Sequence, residues 1–314
     1  MFVKDKLKEN AVIFLKGLFM GSADAVPGVS GGTIALITGI YERLVNAVAS
    51  IPQETLNFFK GFYRKDRKMM IDSVKNTDPV FLMALGTGVF AALIAVLSFM
   101  ASALENFPVE TYGFFTGLIA LSAVILAREI KIDNKEKIFT ALIGFLFAFT
   151  LSGYATTSLG HYPLILVLSG LFAVSAMFLP GVSGSLILVM LGQYAFISER
   201  LSEFISSVFN FISTGQLDNM LQEAVPILFF LTGAFTGLFT TVTLVKKAFE
   251  NYRELTMIFL VSMIVGALRA PISEVNQYLS AVEAFWINIW PQFVFFALLG
   301  AGIILLIDLK TDSI

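Results

Sequence analysis

The residues best suited to chemistry in this chain form one five-residue motif that occurs twice. Pro-Gly-Val-Ser-Gly stands at residues 27–31 and again at 180–184, each time inside a long apolar segment. Proline ends a preceding helix and fits the first turn of the next, so Pro27 and Pro180 are predicted to break a helix and restart it. Free backbone amides at such a restart attract anions, because they carry the positive end of the helix dipole.

Backbone amides and hydroxyl groups around both breaks are therefore predicted to form an anion-binding site. Its candidate residues are Gly28, Val29, Ser30, Gly31, Gly32 and Thr33 in the first copy, and Gly181, Val182, Ser183, Gly184 and Ser185 in the second. Non-helical backbone at membrane depth is tolerated only where it is buried in protein or lines a wet cavity, so two such tips imply a shared polar cavity. In the alternative interpretation each motif is a packed kink whose small residues allow close helix contact. We favour that packing role for Gly113-x-x-x-Gly117 and Gly233-x-x-x-Gly237.

Ionisable residues flank the first motif, whereas the matching positions of the second copy are neutral. The charged set is Lys16, Asp24, Glu42 and Arg43, and its counterparts are Ser169, Met177, Ala195 and Phe196. Charged groups at membrane depth are costly and therefore indicate function. Lys16 and Arg43 are predicted counter-ions for a phosphate, which a guanidinium can bind through two parallel hydrogen bonds. Asp24 and Glu42 are the candidates for carrying H⁺ or Na⁺.

Each of these charged residues also has a structural alternative. Glu42 and Arg43 would form an ion pair at the cytoplasmic interface, and Asp24 would accept hydrogen bonds from amides near Pro27. His161, the one histidine, fits a solvated residue at the outer interface, with a proton relay as the alternative.

The composition sets the class of protein to which these motifs belong. Of 314 residues, 57% are hydrophobic and 14% charged, with a mean hydropathy of +0.82, and apolar segments recur along the whole length. Spanning a bilayer takes about 20 helical residues. We predict an all-α polytopic membrane protein, a single membrane domain over residues 1–314. The basic start resembles a signal peptide, but Lys16 interrupts its apolar region.

Composition also excludes several partners. The absence of cysteine excludes disulfides and thiolate metal sites, and we expect neither a metal nor a cofactor. A net charge of -2 without an extended basic stripe argues against nucleic acid.

The two motifs belong to an internal repeat of the chain. Residues 18–41 align without gaps to 171–194, at a constant offset of 153. Each copy is followed by three apolar segments, near 80–104, 108–127 and 138–154 in the first half and near 224–245, 254–270 and 291–307 in the second. We predict two repeats, 11–154 and 162–307, each a re-entrant or broken helical hairpin plus three transmembrane helices. An odd number of crossings per half inverts the second repeat, as in many secondary transporters.

The positive charges give the orientation of this arrangement. With a cytoplasmic N-terminus, the inner loops and the C-terminal tail hold 19 of the 21 lysines and arginines, and only Arg200 and Arg269 lie outside. That distribution follows the positive-inside rule. Both termini are therefore expected in the cytoplasm, with the protein in the cytoplasmic membrane.

The two motifs in their flanking sequence resemble a known family. MGSADAVPGVSGGTIALITGIYERL (20–44) and SAMFLPGVSGSLILVMLGQY (175–194) are similar to the paired signatures of the polyprenyl-phosphate, or undecaprenyl-phosphate, translocases. The resemblance covers essentially the whole chain. It implies a lipid transporter, not an enzyme, that flips undecaprenyl phosphate from the outer to the inner leaflet so that the carrier lipid is recycled. Moving a negative charge inward against the membrane potential costs about 2.3 kcal/mol per 100 mV, so concentrative transport needs either cation coupling or consumption of the product, and ion coupling is expected.

Two other functions remain as alternatives. Membrane polyprenyl-pyrophosphate phosphatases have a similar architecture of inverted repeats, and they carry a PGxSRSxxT-like signature. This chain has Gly31 at the position of the arginine in that signature. Without that clamp the charge of the transition state is not stabilised. The other alternative is a secondary transporter of a small soluble anion, which would share the hairpins and differ in lacking a cavity open to lipid.

Overall fold

The chain folds into α-helices joined by short turns. The computed structural model describes residues 2–24, 29–128, 130–152, 159–214 and 220–311, which form thirteen helices and no strand. The helices are α1 (Phe2–Asp24), α2 (Gly31–Ile37), α3 (Tyr41–Arg64), α4 (Arg67–Asn76), α5 (Pro79–Asn106), α6 (Pro108–Arg128), α7 (Lys135–Leu151), α8 (Pro163–Phe178), α9 (Gly184–Met190), α10 (Tyr194–Thr214), α11 (Met220–Ala267), α12 (Arg269–Ala281) and α13 (Trp286–Thr311). The all-α prediction is confirmed.

Several of these helices are long and apolar enough to cross a bilayer. Within the described residues three qualify by length and hydropathy: Pro108–Arg128, the continuous stretch Glu223–Ala281 and Trp286–Leu305. The number rises to five if two bent helix pairs each count as one span, Gly31–Ile37 with Tyr41–Arg64 and Arg67–Asn76 with Pro79–Leu93. The protein is therefore a multi-pass membrane protein, as its composition predicts.

The predicted apolar segments correspond to helices, with one difference in the second half. Helices α5, α6 and α7 cover the three segments of the first half. In the second half α11 continues through two predicted segments, and only Tyr252 has non-helical backbone angles (φ -142°, ψ 49°). The connection from 246 to 253 contains no glycine or proline, and the chain bends there at Tyr252, between two helical segments. Helix α12 was not predicted as a separate element.

Ion pairs hold the residues on the C-terminal side of this kink. Arg253 donates to Glu42 at 2.9 Å, and Glu254 accepts from Lys137 at 2.5 Å. Lys137 also binds Asp133 at 2.9 Å, and its hydrogen bond holds the pKa of that exposed carboxyl below its usual range.

Contacts divide the chain into two compact units. The first comprises 1–153, 179–182 and 242–314, and the second comprises 154–178 and 183–241. The first unit therefore contains the turn of the second motif, residues 179–182, together with the described part of the first motif, residues 29–31.

In the first unit, glycines allow helices to pack backbone against backbone. A Cβ on Gly17 of α1 would lie 3.1 Å from the Cα of Gly88 on α5, and one on Gly21 would lie 2.9 Å from the Cβ of Ala92. The residue numbers of the contacts increase together along the two helices, from Gly17 with Gly88 to Gly21 with Ala92, so α1 and α5 run in the same direction.

Helix α6 packs on α13 in the same way. A Cβ on Gly113 would lie 2.7 Å from the Phe293 carbonyl oxygen, and one on Gly117 would overlap the Ala297 carbonyl. The predicted packing role of this Gly-x-x-x-Gly pair is confirmed, and the two helices again run in the same direction. Helices α7 and α11 form a third such pair, with Gly144 against Phe259 and Gly266 against Phe145.

The second unit contains a comparable helix pair. A Cβ on Gly233 or Gly237 of α11 would overlap the carbonyl groups of Val167 or Leu171 on α8, and Gly170 of α8 lies against Ala234. The predicted packing role of Gly233 and Gly237 is therefore confirmed as well.

Substitution of a packing glycine should destabilise the protein, whereas substitution of a glycine on an open face should not. Gly117→Ala places a methyl group in the Ala297 backbone, and forced overpacking costs typically about 1–3 kcal/mol. Gly86→Ala is the matched control, because nothing lies within 4 Å of its added Cβ. In detergent, the loss of monodispersity on heating reports thermal unfolding. We expect this loss at a lower temperature for Gly117→Ala alone. Equal midpoints for the two variants would contradict the packing described here.

Candidate functional site

The two motifs adopt the same local structure. Helix α1 ends at Asp24 and α2 begins at Gly31, while α8 ends at Phe178 and α9 begins at Gly184. Each restarted helix has only seven residues and is preceded by a serine in extended conformation, Ser30 (ψ 129°) or Ser183 (ψ 126°). The predicted break and restart are present in both copies. Pro180 is buried in the second break, whereas Pro27 and Gly28 lie outside the described residues.

The end of each short helix is also duplicated. Gly39 and Gly192 both have positive φ, 70° and 68°, which glycine adopts without steric cost. Their amides donate to Leu36 at 3.1 Å and to Val189 at 2.9 Å, again 153 residues apart. After the first of these turns the chain bends by 119° into α3. A seven-residue helix extends about 10 Å, so the second arm of the hairpin is shorter than a bilayer crossing.

One hydrogen bond joins the first motif to the second. The Gly181 amide donates to the Thr33 hydroxyl at 2.8 Å, and both residues are buried. Gly181 has a φ of 84°, and a Cβ there would lie 2.7 Å from the Met263 carbonyl oxygen. The motif valines, Val29 and Val182, are buried as well. The structure therefore brings the first tip and the turn of the second together inside one unit.

The side chain of Asp24, the last residue of α1, lies at the start of α2. Its Oδ1 accepts a hydrogen bond from the Gly31 amide at 2.7 Å, and its carboxylate fills the space that a side chain on residue 31 would need. Asp24 is thus a capping acceptor, with Gly31 as the partner where sequence analysis named amides near Pro27. The carboxylate lies on one of the amides predicted to bind the anion.

The hydroxyl groups of the two copies differ in their partners. Ser30 is 2% exposed, and its Oγ has no hydrogen-bond partner within the described part of the chain. Ser183 and Ser185 form a hydrogen bond with each other at 2.9 Å. A buried hydroxyl without a partner is unfavourable, so Ser30 retains the capacity to bind a polar ligand. Gly32 is buried beside Thr33.

The predicted cations lie away from this tip. Lys16 Nζ donates to the Thr38 carbonyl at 2.6 Å, at the C-terminal end of α2, where a cation complements the helix dipole. Arg43, two residues into α3, donates to Asp78 at 2.7 Å and to Glu9 at 3.0 Å, and its guanidinium lies 4.4 Å from the ring centre of Phe81.

Glu42 also has a partner far along the chain. It binds Arg253, so the alternative in which Glu42 pairs with Arg43 is wrong for the described residues. Sequence reasoning missed Glu9, Asp78 and Arg253 as partners, because each contact joins residues at least 34 positions apart and leaves no local pattern.

His161 is part of a cluster in the second unit. It is exposed, stacks on Phe196 with 3.9 Å between ring centres, and lies 3.0 Å from Gln193 Oε1. Gln193 is fully buried and donates to the carbonyls of Gly160 and Leu191. The predicted exposure of His161 is confirmed.

Comparison with known proteins identifies the family. Residues 20–285 match the sequence pattern of the family described as undecaprenyl phosphate translocase-like. The chain belongs to this family. The resemblance seen in the two motifs is therefore confirmed, over most of the chain.

Two relatives illustrate the similarity. The chain is 32% identical over 255 residues to a Vibrio cholerae serotype O1 protein named polyprenyl-phosphate transporter, covering 81% of this chain and 75% of that one. It is 28% identical over 272 residues to a Staphylococcus aureus protein of the same name, covering 82% and 84%. No solved structure matches the chain significantly.

The Thr33 hydroxyl should be required for the contact between the two motifs. Thr33→Val keeps the shape but leaves the buried Gly181 amide without an acceptor, which costs about 1–3 kcal/mol. Thr33→Ser keeps the acceptor and is the matched control. We expect a lower thermal midpoint and faster hydrogen exchange at the amides of Gly181 and Val182 for the valine variant only. Wild-type protection in Thr33→Val would show that the hydroxyl does not hold the second tip.

Proposed function

We propose that this protein transports polyprenyl phosphate, flipping undecaprenyl phosphate from the outer to the inner leaflet of the cytoplasmic membrane. The carrier lipid of cell-wall synthesis would thereby be recycled. The observation that carries the proposal is the buried contact between Thr33 and Gly181, which joins two helix breaks rich in amides and hydroxyls. The two relatives named polyprenyl-phosphate transporter support the substrate.

The proposed architecture is a pair of inverted repeats, 11–154 and 162–307. Support comes from helix directions in the first unit, where α6 runs parallel to α13 and α7 runs parallel to the second part of α11. Consecutive spans α6 and α7 are joined by a short connection, so they should run in opposite directions. In the proposed repeats, α6 is equivalent to the second part of α11, and α7 is equivalent to α13. Since α6 runs parallel to α13 and opposite to α7, the equivalent helices α7 and α13 run in opposite directions. The same holds for α6 and the second part of α11. The positive charges favour cytoplasmic termini.

The phosphate would occupy two positions along its path. At the tip, the proposed ligands are the hydroxyls and amides of 28–33 and 181–185, with Ser30 supplying a buried hydroxyl that has no partner among the described residues. Nearer the cytoplasm, Lys16 and Arg43 would receive it. Helix α2, about 10 Å long, separates these positions. Arg43 would have to exchange Asp78 and Glu9 for the phosphate.

Ion coupling is proposed through Asp24 and Glu42, with H⁺ or Na⁺ as the ion. The Asp24 carboxylate occupies the Gly31 amide that an anionic substrate would use, so two negative groups compete for one donor. Protonation of Asp24, or binding of Na⁺ to it, removes this repulsion and lets the phosphate bind. Coupling supplies the free energy for inward movement of negative charge, about 2.3 kcal/mol per charge per 100 mV.

Flipping assays in proteoliposomes test the proposal. Fluorescently labelled undecaprenyl phosphate in the outer leaflet is accessible to an added quencher, and unlabelled lipid to an added phosphatase, until it crosses. The pH gradient and the sodium gradient are imposed separately. We expect protein-dependent crossing that free phosphate and sulfate do not inhibit. Inhibition by those ions, or transport of the ions themselves, would favour a soluble-anion transporter. Release of phosphate from undecaprenyl pyrophosphate would favour a phosphatase.

Asp24→Asn should separate transport from coupling. The asparagine oxygen still accepts from the Gly31 amide, so the tip keeps its structure, but the side chain no longer titrates or attracts Na⁺. We expect crossing driven by the lipid gradient to persist, while acceleration by an imposed ion gradient falls at least about tenfold, equivalent to 1.4 kcal/mol. A variant that responds to the gradient as wild type does would remove Asp24 from the coupling mechanism.

Arg43 can be tested against its own partners. If Arg43 binds the phosphate, Arg43→Ala should reduce transport at least about tenfold, the loss of one charge-assisted contact. The double variant Glu9→Gln with Asp78→Asn removes the negative charge of both present partners and so weakens their hold on the guanidinium, and it should retain transport. Equal losses in the two variants at equal amounts of folded protein would assign Arg43 a structural role only.

A further inference from the structure

The turn between α3 and α4 carries an unpaired cluster of positive charge. Its members are Lys60, Arg64, Lys65, Arg67 and Lys68, with Asp66 as the one acid between them. All five basic residues are exposed. None of them forms an ion pair within the described ranges, and the Asp66 side chain is occupied in capping the Met69 amide at 3.0 Å. We call these five residues the basic turn.

An exposed apolar stripe lies on α3 next to the basic turn. Leu56, Phe59 and Tyr63 follow each other at spacings of three and four residues, on one face of the helix. Their side chains are 57%, 55% and 85% exposed, and Phe62 beside them is 62% exposed. A helix that combines such a stripe with positive charge lies in the interface of a bilayer.

A groove opens beside the stripe, between α3, α4 and the start of α5. Its volume is about 530 Å³, and apolar side chains dominate its lining: Ile51, Phe58, Phe59, Val74, Leu82 and Met83. Glu54 and Ser73 also line an adjoining polar cavity of about 370 Å³, which Lys68 borders together with Asp72. The groove therefore continues from an apolar part to a polar part that reaches the basic turn.

The acids near the groove are largely engaged. Glu54 accepts from Asn57 at 3.3 Å and from Asn76 at 3.1 Å, and Asp66 is the helix cap. Asp72 lines the polar cavity together with Glu54 and Asp66. These three carboxylates keep their negative charge, and the five cations of the basic turn outnumber them, so this end of the α3–α4 pair favours a negatively charged partner.

Helix α10 provides an internal comparison for α3. It begins 153 residues after α3 and likewise exposes apolar side chains, with Leu201 45% and Ile205 46% exposed. Its one basic residue, Arg200, pairs with Glu203 at 2.5 Å. An amphipathic helix at this position of the fold thus forms without a cationic cluster, so the basic turn is not needed to form the helix itself.

We propose that the groove and the basic turn bind one anionic phospholipid of the adjacent leaflet. An acyl chain would lie among Phe58, Val74 and Leu82, and the phosphate of the headgroup would contact Arg64, Arg67 and Lys68. Juxtamembrane clusters of four to eight basic residues bind anionic lipids in this way, and here an apolar groove adds a place for the chain. The inference goes beyond the transport proposal and does not depend on it.

Native mass spectrometry of the purified full-length protein tests this site. The protein is titrated with phosphatidylglycerol or with phosphatidylcholine of the same acyl chains. We expect the wild type to retain phosphatidylglycerol with at least about fivefold preference, because the basic turn attracts net negative charge. The variant Lys60→Gln, Arg64→Gln, Arg67→Gln, Lys68→Gln should lose that preference. Its matched control removes four cations elsewhere, through Lys131→Gln, Lys135→Gln, Lys246→Gln and Lys247→Gln, and should keep it.

Filling the groove tests the acyl-chain position. Val74→Trp puts an indole into the groove from a side chain that is already 47% exposed, so folding should be unaffected. We expect it to weaken phosphatidylglycerol binding several-fold, whereas Ile205→Trp on α10 should not. Unchanged preference in the four-glutamine variant would overturn the proposal, as would undecaprenyl phosphate displacing phosphatidylglycerol at equal or lower concentration. The latter result would make the groove a site for the carrier lipid.

Discussion

A helix that breaks at membrane depth must satisfy its freed amides and carbonyls within the protein, because hydrocarbon offers no partners. That constraint explains the polar side chains around the first motif. Asp24 takes the Gly31 amide, Lys16 takes the Thr38 carbonyl, and Thr33 accepts from Gly181. Each of these side chains thus satisfies a backbone group that the break leaves without a helical partner.

The two copies meet this constraint with different chemistry. The carbonyl of Thr38 is bound by the charged Lys16, whereas that of its counterpart Leu191 is bound by the neutral amide of Gln193. Charge is thus concentrated in the first copy although the backbone geometry is duplicated. The two copies thus share the conformation of their turns and differ in the side chains around them.

Close helix packing fixes the position of the broken segments. Glycines on α1, α6, α7 and α8 let these helices touch neighbouring backbones, so the packing leaves little freedom for rotation or sliding. Residues 179–182 belong to the unit that contains the first motif, where Gly181 lies against the Met263 carbonyl and the Thr33 hydroxyl. The polar tips are therefore held by apolar contacts some distance away.

The sequence by itself determined the helical class, the membrane environment, both helix breaks and the family, because hydropathy, proline, glycine and a gapless repeat act locally or at a fixed spacing. The tertiary structure decided which side chains meet. Arg43 contacts Asp78 and Glu9, and Glu42 contacts Arg253, across separations that no local pattern encodes. The kink at Tyr252 likewise appears only in the tertiary structure, since residues 246–253 contain no glycine or proline that would mark a break.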